Sequence, residues 1–427
     1  MSGVAQQDPL RVLVVAENAS KRAGGEAFLP VQWFRRYLER GVDARLLAHD
    51  RYADELRELF PEHADRLHFV ADAGIGGAFA HRYRTSRLSP PLRRLLYRPP
   101  SRVLFLRRLR RAARALVAEH RVQVVHECNP VSPREPGGLW GLGAPLVVGP
   151  LNGAIEPMPG FDAVQARVQG PLKRAAMRVA PLLHRVLPGK RRATLVLAAN
   201  ERTRRALPAV RGEVEVFCEN GVDLKLWQPE AIREPDAERP IRFAFLGRLV
   251  RWKSVDVLFR AMELLAERGI EAELDVYGRG TDEDRLAAAA ASSPAADRLH
   301  LHGFVRQEDA AETMRGADAF CLPSVQECGG AVVLEAMALG LPVVVTDWGG
   351  PAEYVTGAEG FKVGGGSSEE LARGFADAMG ALATDAGLRR RAGEAGLRRA
   401  AEEAFDWDRR ADWMIARLRR VVAAGGS

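Results

Sequence analysis

The sequence has few cysteines and no long apolar run. Its four cysteines in 427 residues, Cys128, Cys218, Cys321 and Cys328, form no CxxC pair and are too sparse for a disulfide framework or a zinc-binding pattern. No apolar stretch reaches membrane-spanning length, and MSGVAQQDPLRVLVV at the start does not have the pattern of a secretory signal. These absences predict a protein of the reducing cytoplasm.

Acidic residues are missing from two stretches of the first half. Residues 82–114 contain twelve arginines and no acid, so the rest of the chain, with a total net charge of +7, carries 7 − 12 = −5. Residues 167–192 contain eight Lys and Arg residues and again no acid. The basic character of the chain is therefore local.

Residues 103–117 within the first stretch have the periodicity of an amphipathic helix. The apolar side consists of Val103, Leu106, Leu109, Ala113, Leu116 and Val117, and the basic side of Arg107, Arg108, Arg110, Arg111 and Arg114. Two interpretations stay open: a helix packed on its own domain with a solvated basic face, or docking on an anionic membrane surface. Nucleic acid ranks well below both, because only Tyr83, Tyr97 and Phe105 supply aromatic rings nearby.

Apolar runs of strand length alternate with helical patterns twice along the chain, first from RVLVVAE and again from IRFAFLGRLV. Continuous apolar strands separated by helices predict parallel sheets covered on both faces. We therefore predict an α/β protein of two doubly wound, Rossmann-like domains facing a central cleft. The predicted boundaries are residues 1–215 for the first domain, 216–405 for the second, and 406–427 for a C-terminal helix that packs back toward the first domain.

Two cations follow the first strand of the second half. In GRLVRWKS, Arg248 and Lys253 lie between a strand and a helix, where side-chain charge and helix amides together favour an anion such as a diphosphate. On these residues alone, a solvated surface position is the commoner interpretation.

Two glutamates, Glu327 and Glu335, bracket Gly329 and Gly330 in ECGGAVVLEAMALG. Glycines let a ligand approach backbone amides, and a carboxylate accepts hydrogen bonds from two neighbouring hydroxyls. The arrangement suits a ligand with two diols, although two glutamates eight positions apart are a weak signal alone.

The wider context resembles the family 4 retaining glycosyltransferases of the GT-B fold, and within them a bacterial glycan or secondary-metabolite subgroup. The resemblance is carried by PSVQECGGAVVLEAMALGLPVVVTDWGGPAEYV, FLGRLVRWKSVDVLFRAM, NGVDLKLWQP, LAANERTRRAL and VVHECNP. It is strong from Ala193 to Val355 and looser before that.

The resemblance implies transfer of a hexose from a UDP- or GDP-sugar to the hydroxyl of a glycan, lipid-linked or small-molecule acceptor. It also implies that residues 1–215 form the acceptor domain and residues 216–405 the nucleotide-sugar donor domain. Arg248 and Lys253 would hold the diphosphate, where charge grows in the transition state. Glu327 and the amides near Gly329 and Gly330 would contact the sugar, and Glu335 the ribose. From the same resemblance, Gly24 and Gly25 would approach the phosphates, His126 the sugar, and Phe304 and Val305 the nucleobase. A lone histidine at a strand end is otherwise more often structural.

Two positions depart from the family pattern. Cys328 and Gly329 stand where the family has glycine and an aromatic residue, which leaves the contacts around the sugar less defined. Ser254 replaces the glycine after the lysine, and we expect it to cap the following helix.

Neither Asp282-Glu283-Asp284 nor Asp406-Trp407-Asp408 requires a metal, because acids at helix starts have a structural explanation. We expect no metal and no tightly bound cofactor. The alternatives are a GT-B epimerase, a phosphorylase, or a non-enzymatic basic adaptor on a membrane or polyanion. The predicted location is the cytoplasm, with peripheral binding to the inner face of the membrane as an extension.

Overall fold

A computed structural model describes residues 9–72, 74–86, 88, 98–161, 184–229, 239–402 and 404–425. The chain divides into two compact units. Unit 1 comprises the described parts of Met1–Ala154, Pro171–Glu219 and Ala411–Ser427, and unit 2 those of Ile155–Gly170 and Asn220–Arg410. Each unit is an α/β domain built on one parallel sheet, which confirms the predicted two-domain class.

Unit 1 contains a seven-stranded sheet of order β3-β2-β1-β4-β5-β6-β7, in which every paired strand is parallel. Its central strands are buried apolar runs, as expected for a sheet covered on both faces. The strands are β1 Arg11–Ala16, β2 Asp43–His49, β3 Leu67–Val70, β4 Val124–Asn129, β5 Leu146–Leu151, β6 Leu195–Ala198 and β7 Glu213–Val216.

The described helices of unit 1 include the predicted amphipathic helix. They are α1 Gly25–Glu39, α2 Ala53–Leu59, α3 Gly74–Thr85, α4 Arg98–Glu119 and α5 Glu201–Arg205. In α4, the apolar side packs into the core that also contains Leu13 and Val15 of β1, and Leu106, Leu109 and Ala113 are at most 1% exposed. This apolar stripe is therefore not free to insert into a lipid layer, so the packed-helix interpretation is correct for that side.

Unit 2 contains a six-stranded parallel sheet of order β10-β9-β8-β11-β12-β13. The strands are β8 Ile241–Leu246, β9 Ala272–Tyr277, β10 Leu299–Gly303, β11 Ala319–Leu322, β12 Val343–Thr346 and β13 Gly360–Val363. The helices are α6 Asp256–Glu267, α7 Glu283–Ala291, α8 Ala310–Arg315, α9 Ala331–Ala338, α10 Gly349–Tyr354, α11 Ser368–Thr384, α12 Ala386–Ala400 and α13 Trp407–Gly425. The residues of α13 from Ala411 onward belong to unit 1.

The boundaries between the two units fall at Glu219 and Arg410, a few residues beyond the predicted boundaries at 215 and 405, and unit 2 also includes an internal segment of the first half. Residues 155–161, expected in the first domain, pack in unit 2, where Met158 N donates to Val325 O at 2.8 Å and Trp348 Nε1 to Glu156 O at 2.8 Å. Sequence periodicity could not assign this segment because it contains no helix or strand. At the other end of the chain, Trp413 stacks on Phe217 of unit 1 at 3.9 Å.

Among the described helices, none combines the length and the apolar character needed to cross a bilayer.

Candidate functional site

The candidate site of unit 2 lies where the strand order reverses. The chain places β9 on one side of β8 and β11 on the other, so the connections after β8 and β11 leave in opposite directions at the carboxyl edge of the sheet. Such a point is the usual ligand crevice of an open parallel sheet. Arg248 and Lys253 follow β8, and Glu327 follows β11.

Lys253 and Glu327 form an ion pair at this crevice, with 2.5 Å between Nζ and Oε2. Lys253 is only 9% exposed, and its short 3₁₀ turn, Arg251–Lys253, is tied to the loop after β11 by a 2.9 Å hydrogen bond from Val325 N to Trp252 O. That loop is fixed in turn by Thr346, whose hydroxyl donates to Ser324 O at 2.6 Å. The structure therefore brings together two of the predicted residues as one charged pair on a fixed backbone.

Arg248 differs from Lys253 in having no ionic partner. Its side chain is exposed, its guanidinium carbon lies 6.0 Å from the Trp252 ring centroid, and no carboxylate of the described residues comes within 4 Å of it. A cation without a protein counter-charge beside a crevice can bind an anionic ligand without first breaking an ion pair.

Gly329 and Gly330 immediately precede α9. Gly330 has φ of 82°, a left-handed conformation that glycine adopts without strain, and a Cβ there would lie 3.1 Å from Cγ of Glu327. Helix α9 thus begins beside the carboxylate of Glu327, and its first amides face the loop that carries the ion pair.

The glycine pair Gly349-Gly350 packs against the backbone of the loop that carries Glu327. The sequence did not predict this role. Gly350 N donates to Glu327 O at 3.0 Å. A Cβ at Gly349 would lie 2.1 Å from Glu327 O, and a Cβ at Gly350 would lie 2.2 Å from Gly329 O. Side chains are excluded at both positions by backbone contact. The signal was visible as the GG of DWGGP, but only the structure identifies what it contacts.

Glu335 lies on α9, one turn beyond its start. The side chain keeps some exposed surface, yet it is densely enclosed, and this burial raises its pKa to about 7. Since no opposing cation is among the causes, the carboxyl group is close to half-protonated at neutral pH.

Phe304 and Val305 directly follow β10, at the same carboxyl edge but two strands away from β8. Phe304 is 68% exposed, which is unusual for a ring of that size, and Val305 is half-buried. An exposed ring at this edge is available for stacking on a planar ligand.

Ser254 does not cap the following helix, contrary to the expectation. Its hydroxyl is placed to donate to Arg251 O at 3.4 Å, and the residue has φ of 49°. That left-handed conformation explains why a glycine at this position is the family's usual choice.

The glycines predicted in unit 1 open helix α1 after β1. Gly24 has φ of 99° and precedes the helix, Gly25 is its first residue, and a Cβ at either would meet nothing within 4 Å. Their loop is held by Asn129 at the end of β4, whose Oδ1 accepts from Glu17 N at 2.8 Å. The open space agrees with a ligand-facing loop, but no protein contact demands glycine at Gly25.

The His126 side chain, predicted to contact the sugar, does not reach the surface of unit 1. It is completely buried in β4, and both ring nitrogens are bonded within unit 1: Nε2 donates to Gly149 O at 2.6 Å, and Nδ1 accepts from the Tyr37 hydroxyl at 2.9 Å. Burial lowers its pKa to about 4, so the ring is neutral. With no exposed surface and both ring nitrogens bonded within unit 1, the side chain favours the structural interpretation of His126 over contact with the sugar.

A buried group of ionisable side chains near β1 and β4 was also missed. Arg102 bridges Glu17 at 3.1 Å and Glu135 at 2.9 Å. Lys190 is fully buried and donates to Ser132 O at 2.5 Å, while burial raises the pKa of the neighbouring Glu127 and lowers that of Lys190. Lys190 falls in the second acid-free stretch, which gave no hint that one of its cations is internal.

The acidic pairs that could have resembled a metal motif are bonded to cations. Asp282 pairs with Arg285 at 2.6 Å and Arg251 at 3.1 Å, and Asp408 pairs with Lys225 at 3.1 Å. Within the part of the chain that the structure describes, no three His, Cys, Asp or Glu side chains are grouped as metal ligands.

Sequence comparison identifies the region that contains the unit 2 site. Residues 228–399 match the family model "Glycosyl transferases group 1". The chain is 34% identical over 218 residues to the D-inositol 3-phosphate glycosyltransferase of Kribbella flavida, covering 47% of this chain and 50% of the relative. It is 35% identical over 211 residues to that of Xylanimonas cellulosilytica, covering 46% and 48%. The chain thus spans about half the length of the curated relatives it matches.

Solved structures extend the likeness of fold along the whole chain. HepE of Anabaena, solved with UDP and glucose, superposes with a TM-score of 0.61 at 18% identity, covering 96% of this chain and 99% of that one. Sucrose-phosphate synthase of Thermosynechococcus elongatus gives a TM-score of 0.66 at 18% identity, with coverage of 97% and 100%. The chain therefore has the GT-B fold of these structures, and its residues 228–399 are similar to group 1 glycosyltransferase domains.

Proposed function

We propose that this protein is a retaining glycosyltransferase that moves a hexose from a nucleotide-diphosphate sugar to an acceptor hydroxyl. The observation that carries the proposal is the Lys253–Glu327 ion pair, with unpaired Arg248 beside it, at the β8/β11 crevice of the group 1 domain. Two cations suit a diphosphate leaving group, and a carboxylate between them and α9 suits sugar hydroxyls.

In the proposed mechanism, Arg248 and Lys253 stabilise the negative charge that develops on the diphosphate as the glycosidic bond breaks. Glu327 orients the transferred sugar and, through the ion pair, holds Lys253 in place. The amides at Gly329 and Gly330 bind the sugar, Glu335 accepts hydrogen bonds from the ribose, and Phe304 with Val305 packs on the base. Because the side chains supply the positive charge, we propose that transfer needs no divalent ion.

The donor is proposed to be a UDP-sugar or a GDP-sugar. Support for UDP comes from HepE, a neighbour of the same fold solved with UDP and with UDP-glucose, and support for a hexose from the same complexes. The acceptor, a glycan, lipid-linked molecule or small molecule, is assigned to unit 1.

The test begins with thermal stabilisation of the full chain by UDP, GDP, ADP and TDP, since a nucleotide that binds only the native state raises the melting temperature. The corresponding UDP- or GDP-hexose is then incubated with acceptor panels, with and without EDTA. Nuclear magnetic resonance of the product reports whether the anomeric configuration is retained. Stabilisation by none of the four nucleotides, or inversion at the anomeric carbon, would overturn the proposal.

We further propose that the exposed arginines of α4 dock unit 1 on an anionic membrane by charge alone. Arg107, Arg108 and Arg111 are exposed and have no carboxylate of the described residues within 4 Å, whereas the apolar side of the helix is buried. Each contributes on the order of 1 kcal/mol near such a surface. Flotation with anionic vesicles should weaken in high salt and fall in the Arg107→Gln, Arg108→Gln, Arg111→Gln variant; no flotation at low salt contradicts it.

A further inference from the structure

A cavity of unit 1 lies at the edge of the sheet formed by the amino ends of the strands. It has a volume of about 330 Å³ and is lined by residues 140–146 together with Arg192 and Thr194. Leu146 is the first residue of β5, and Thr194 directly precedes β6. Since these strands are parallel, the cavity lies at their amino ends, away from the edge where the substrate crevice of a parallel sheet forms.

One arginine lines this cavity, a second is bonded to its wall, and a third lies near the second on α4. Arg192 lines the cavity, and Arg110 of α4 is bonded to its wall, with Nε donating to Trp140 O at 2.6 Å. Arg114 stands one turn further along α4, on the same side as Arg110. The charges of Arg114 and Arg192, after burial itself, lower the pKa of Arg110, so both of these cations repel the Arg110 guanidinium.

No acidic side chain of the described residues offsets the positive charge of these three arginines. Many arginines of this protein meet a carboxylate, as Arg102 does with Glu17 and Glu135. For Arg110, Arg114 and Arg192, in contrast, no carboxylate within the described ranges comes within 4 Å. Like charges held together without an acid are stabilised by a bound anion.

The wall of the cavity fixes one guanidinium in place. The Arg110 guanidinium carbon lies 4.0 Å from the Trp140 ring centroid, a stacked arrangement, and the Nε bond to Trp140 O leaves the two Nη groups available. A Cβ at Gly141 would lie 3.4 Å from Nη2, so the glycine keeps the approach to that group open. Gly141 and Gly143 both have positive φ, which bends the loop around the cavity.

We propose that this cavity is a binding site for a phosphate-type anion, held by Arg110, Arg114 and Arg192 and separate from the glycosyl-transfer crevice. Guanidinium groups bind phosphate oxygens through paired N–H donors, and the volume exceeds that of a lone phosphate, which points to a phosphorylated molecule. The phosphate belongs either to a soluble phosphomonoester or to a phospholipid headgroup.

The test compares two double variants that each remove two charges from exposed arginines. Arg114→Gln with Arg192→Gln removes cations of the cavity, and Arg57→Gln with Arg205→Gln, at exposed positions of α2 and α5, is the matched control. Both are made in an Arg248→Ala, Lys253→Ala background, so that anion binding at the unit 2 crevice does not contribute. This background also makes the result independent of whether the protein is a glycosyltransferase.

Binding of inorganic phosphate and pyrophosphate is measured by calorimetry at constant ionic strength, and binding to vesicles by flotation, with phosphatidic acid compared with phosphatidylglycerol of equal content. We expect the cavity variant to lose on the order of tenfold or more in affinity, while the control keeps the affinity of its parent. Binding of the soluble anions identifies a soluble source, and a preference for phosphatidic acid over phosphatidylglycerol that the cavity variant abolishes identifies the headgroup. Equal losses in both variants, or no binding of either probe by the parent, would overturn the proposal.

Discussion

The two units place their ionisable side chains differently around the same kind of sheet. In unit 2, the residues after β8 and β11 remain at the crevice: Arg248 is exposed and unpaired with any described carboxylate, and Glu327 keeps accessible surface beside Lys253. In unit 1, His126 of β4 and the nearby Lys190 are completely buried and are bonded inside the domain. Similar residue types near strand ends thus keep accessible surface in one unit and are packed internally in the other.

A position directly after a strand is therefore not enough to identify a binding residue. What separates the two cases is whether the polar atoms are already satisfied by protein groups. Both nitrogens of His126 are, whereas the guanidinium of Arg248 is not bonded to a described carboxylate. Substitutions in the two units should therefore have different effects, on turnover in unit 2 and on stability in unit 1.

The largest expected effect is on turnover in unit 2. Lys253→Ala and Arg248→Ala should each lower kcat at saturating donor on the order of 100-fold, because each removes a charge that stabilises the leaving group. Lys253→Ala should also lower the melting temperature, because it strands the carboxylate of Glu327, while Arg248→Ala should not.

Lys225→Ala, which breaks an exposed ion pair with Asp408, is the control for losing a lysine elsewhere in unit 2. Kinetics with saturating donor and a thermal melt on each variant decide the matter. Unchanged kcat in Arg248→Ala would remove it from the site.

The next effect is on stability in unit 1. His126→Phe should cost about 1–3 kcal/mol for each of the two buried partners it leaves unsatisfied, Gly149 O and the Tyr37 hydroxyl. Adding Tyr37→Phe should recover part of the loss, since the stranded hydroxyl is then gone. Denaturant unfolding measures both variants, and a variant of full stability with reduced kcat would return His126 to the active site.

A smaller effect is expected at the glycines beneath the unit 2 loop. Gly350→Ala should weaken donor binding on the order of tenfold. The new Cβ would lie 2.2 Å from Gly329 O, so the backbone at Gly329 would have to move. Gly364→Ala, where a Cβ meets nothing within 4 Å, is the matched control. Calorimetry with the nucleoside diphosphate and with the intact donor tells them apart; equal affinity in Gly350→Ala and Gly364→Ala would show that the loop tolerates the shift.

The smallest effect concerns Glu335 and pH. Its folded pKa of about 7 lies above the ordinary 4.5, so the folded state holds this proton more tightly than the unfolded chain. The resulting stabilisation is fully present below pH 4.5 and is lost as pH rises toward 7. Nucleotide affinity should move the opposite way, rising by up to about tenfold per pH unit below 7 if only the carboxylate accepts from the ribose.

Glu335→Gln should remove the rise of nucleotide affinity with pH that the Glu335 carboxyl group causes. The remaining pH dependence should come from the titration of the nucleotide itself. Calorimetry of parent and variant across pH 6 to 8 gives the difference directly. Parallel profiles would mean that Glu335 does not meet the nucleotide.

Much of unit 2 could be predicted from the sequence because its signals are local. The apolar runs of β8 and β11 fix the strand ends, so the positions of Lys253 and Glu327 after them follow directly. Ser254 was misjudged because a cap and a left-handed turn call for different backbone angles, which the residue type alone does not reveal. The contact of Gly350 with Glu327 depends on β12 returning beside β11, a pairing across the sheet.

Unit 1 was less predictable because its decisive contacts join distant residues. The burial of His126 depends on Tyr37, 89 positions earlier, and on Gly149, 23 positions later. Residues 103–117 were correctly predicted to be helical, but the local charge pattern of the basic stretch could not distinguish Arg102, which is paired with acids, from Arg110, which stacks on Trp140. Periodicity reports which side of a helix is apolar, not which of its cations has a partner.

The segment 155–161 makes unit 2 discontinuous in sequence, and this has a consequence for how the protein is made. During synthesis this segment leaves the ribosome before the rest of unit 2. Gln326, whose Nε2 donates to Ile155 O, follows 171 positions later. The loop bearing Glu327 can close on Met158 only when most of the following sheet has been translated. We therefore expect the separately expressed chain from Asn220 onward to form its strands but leave this loop loose, so that donor affinity in the isolated half would require the short segment to be supplied as a peptide.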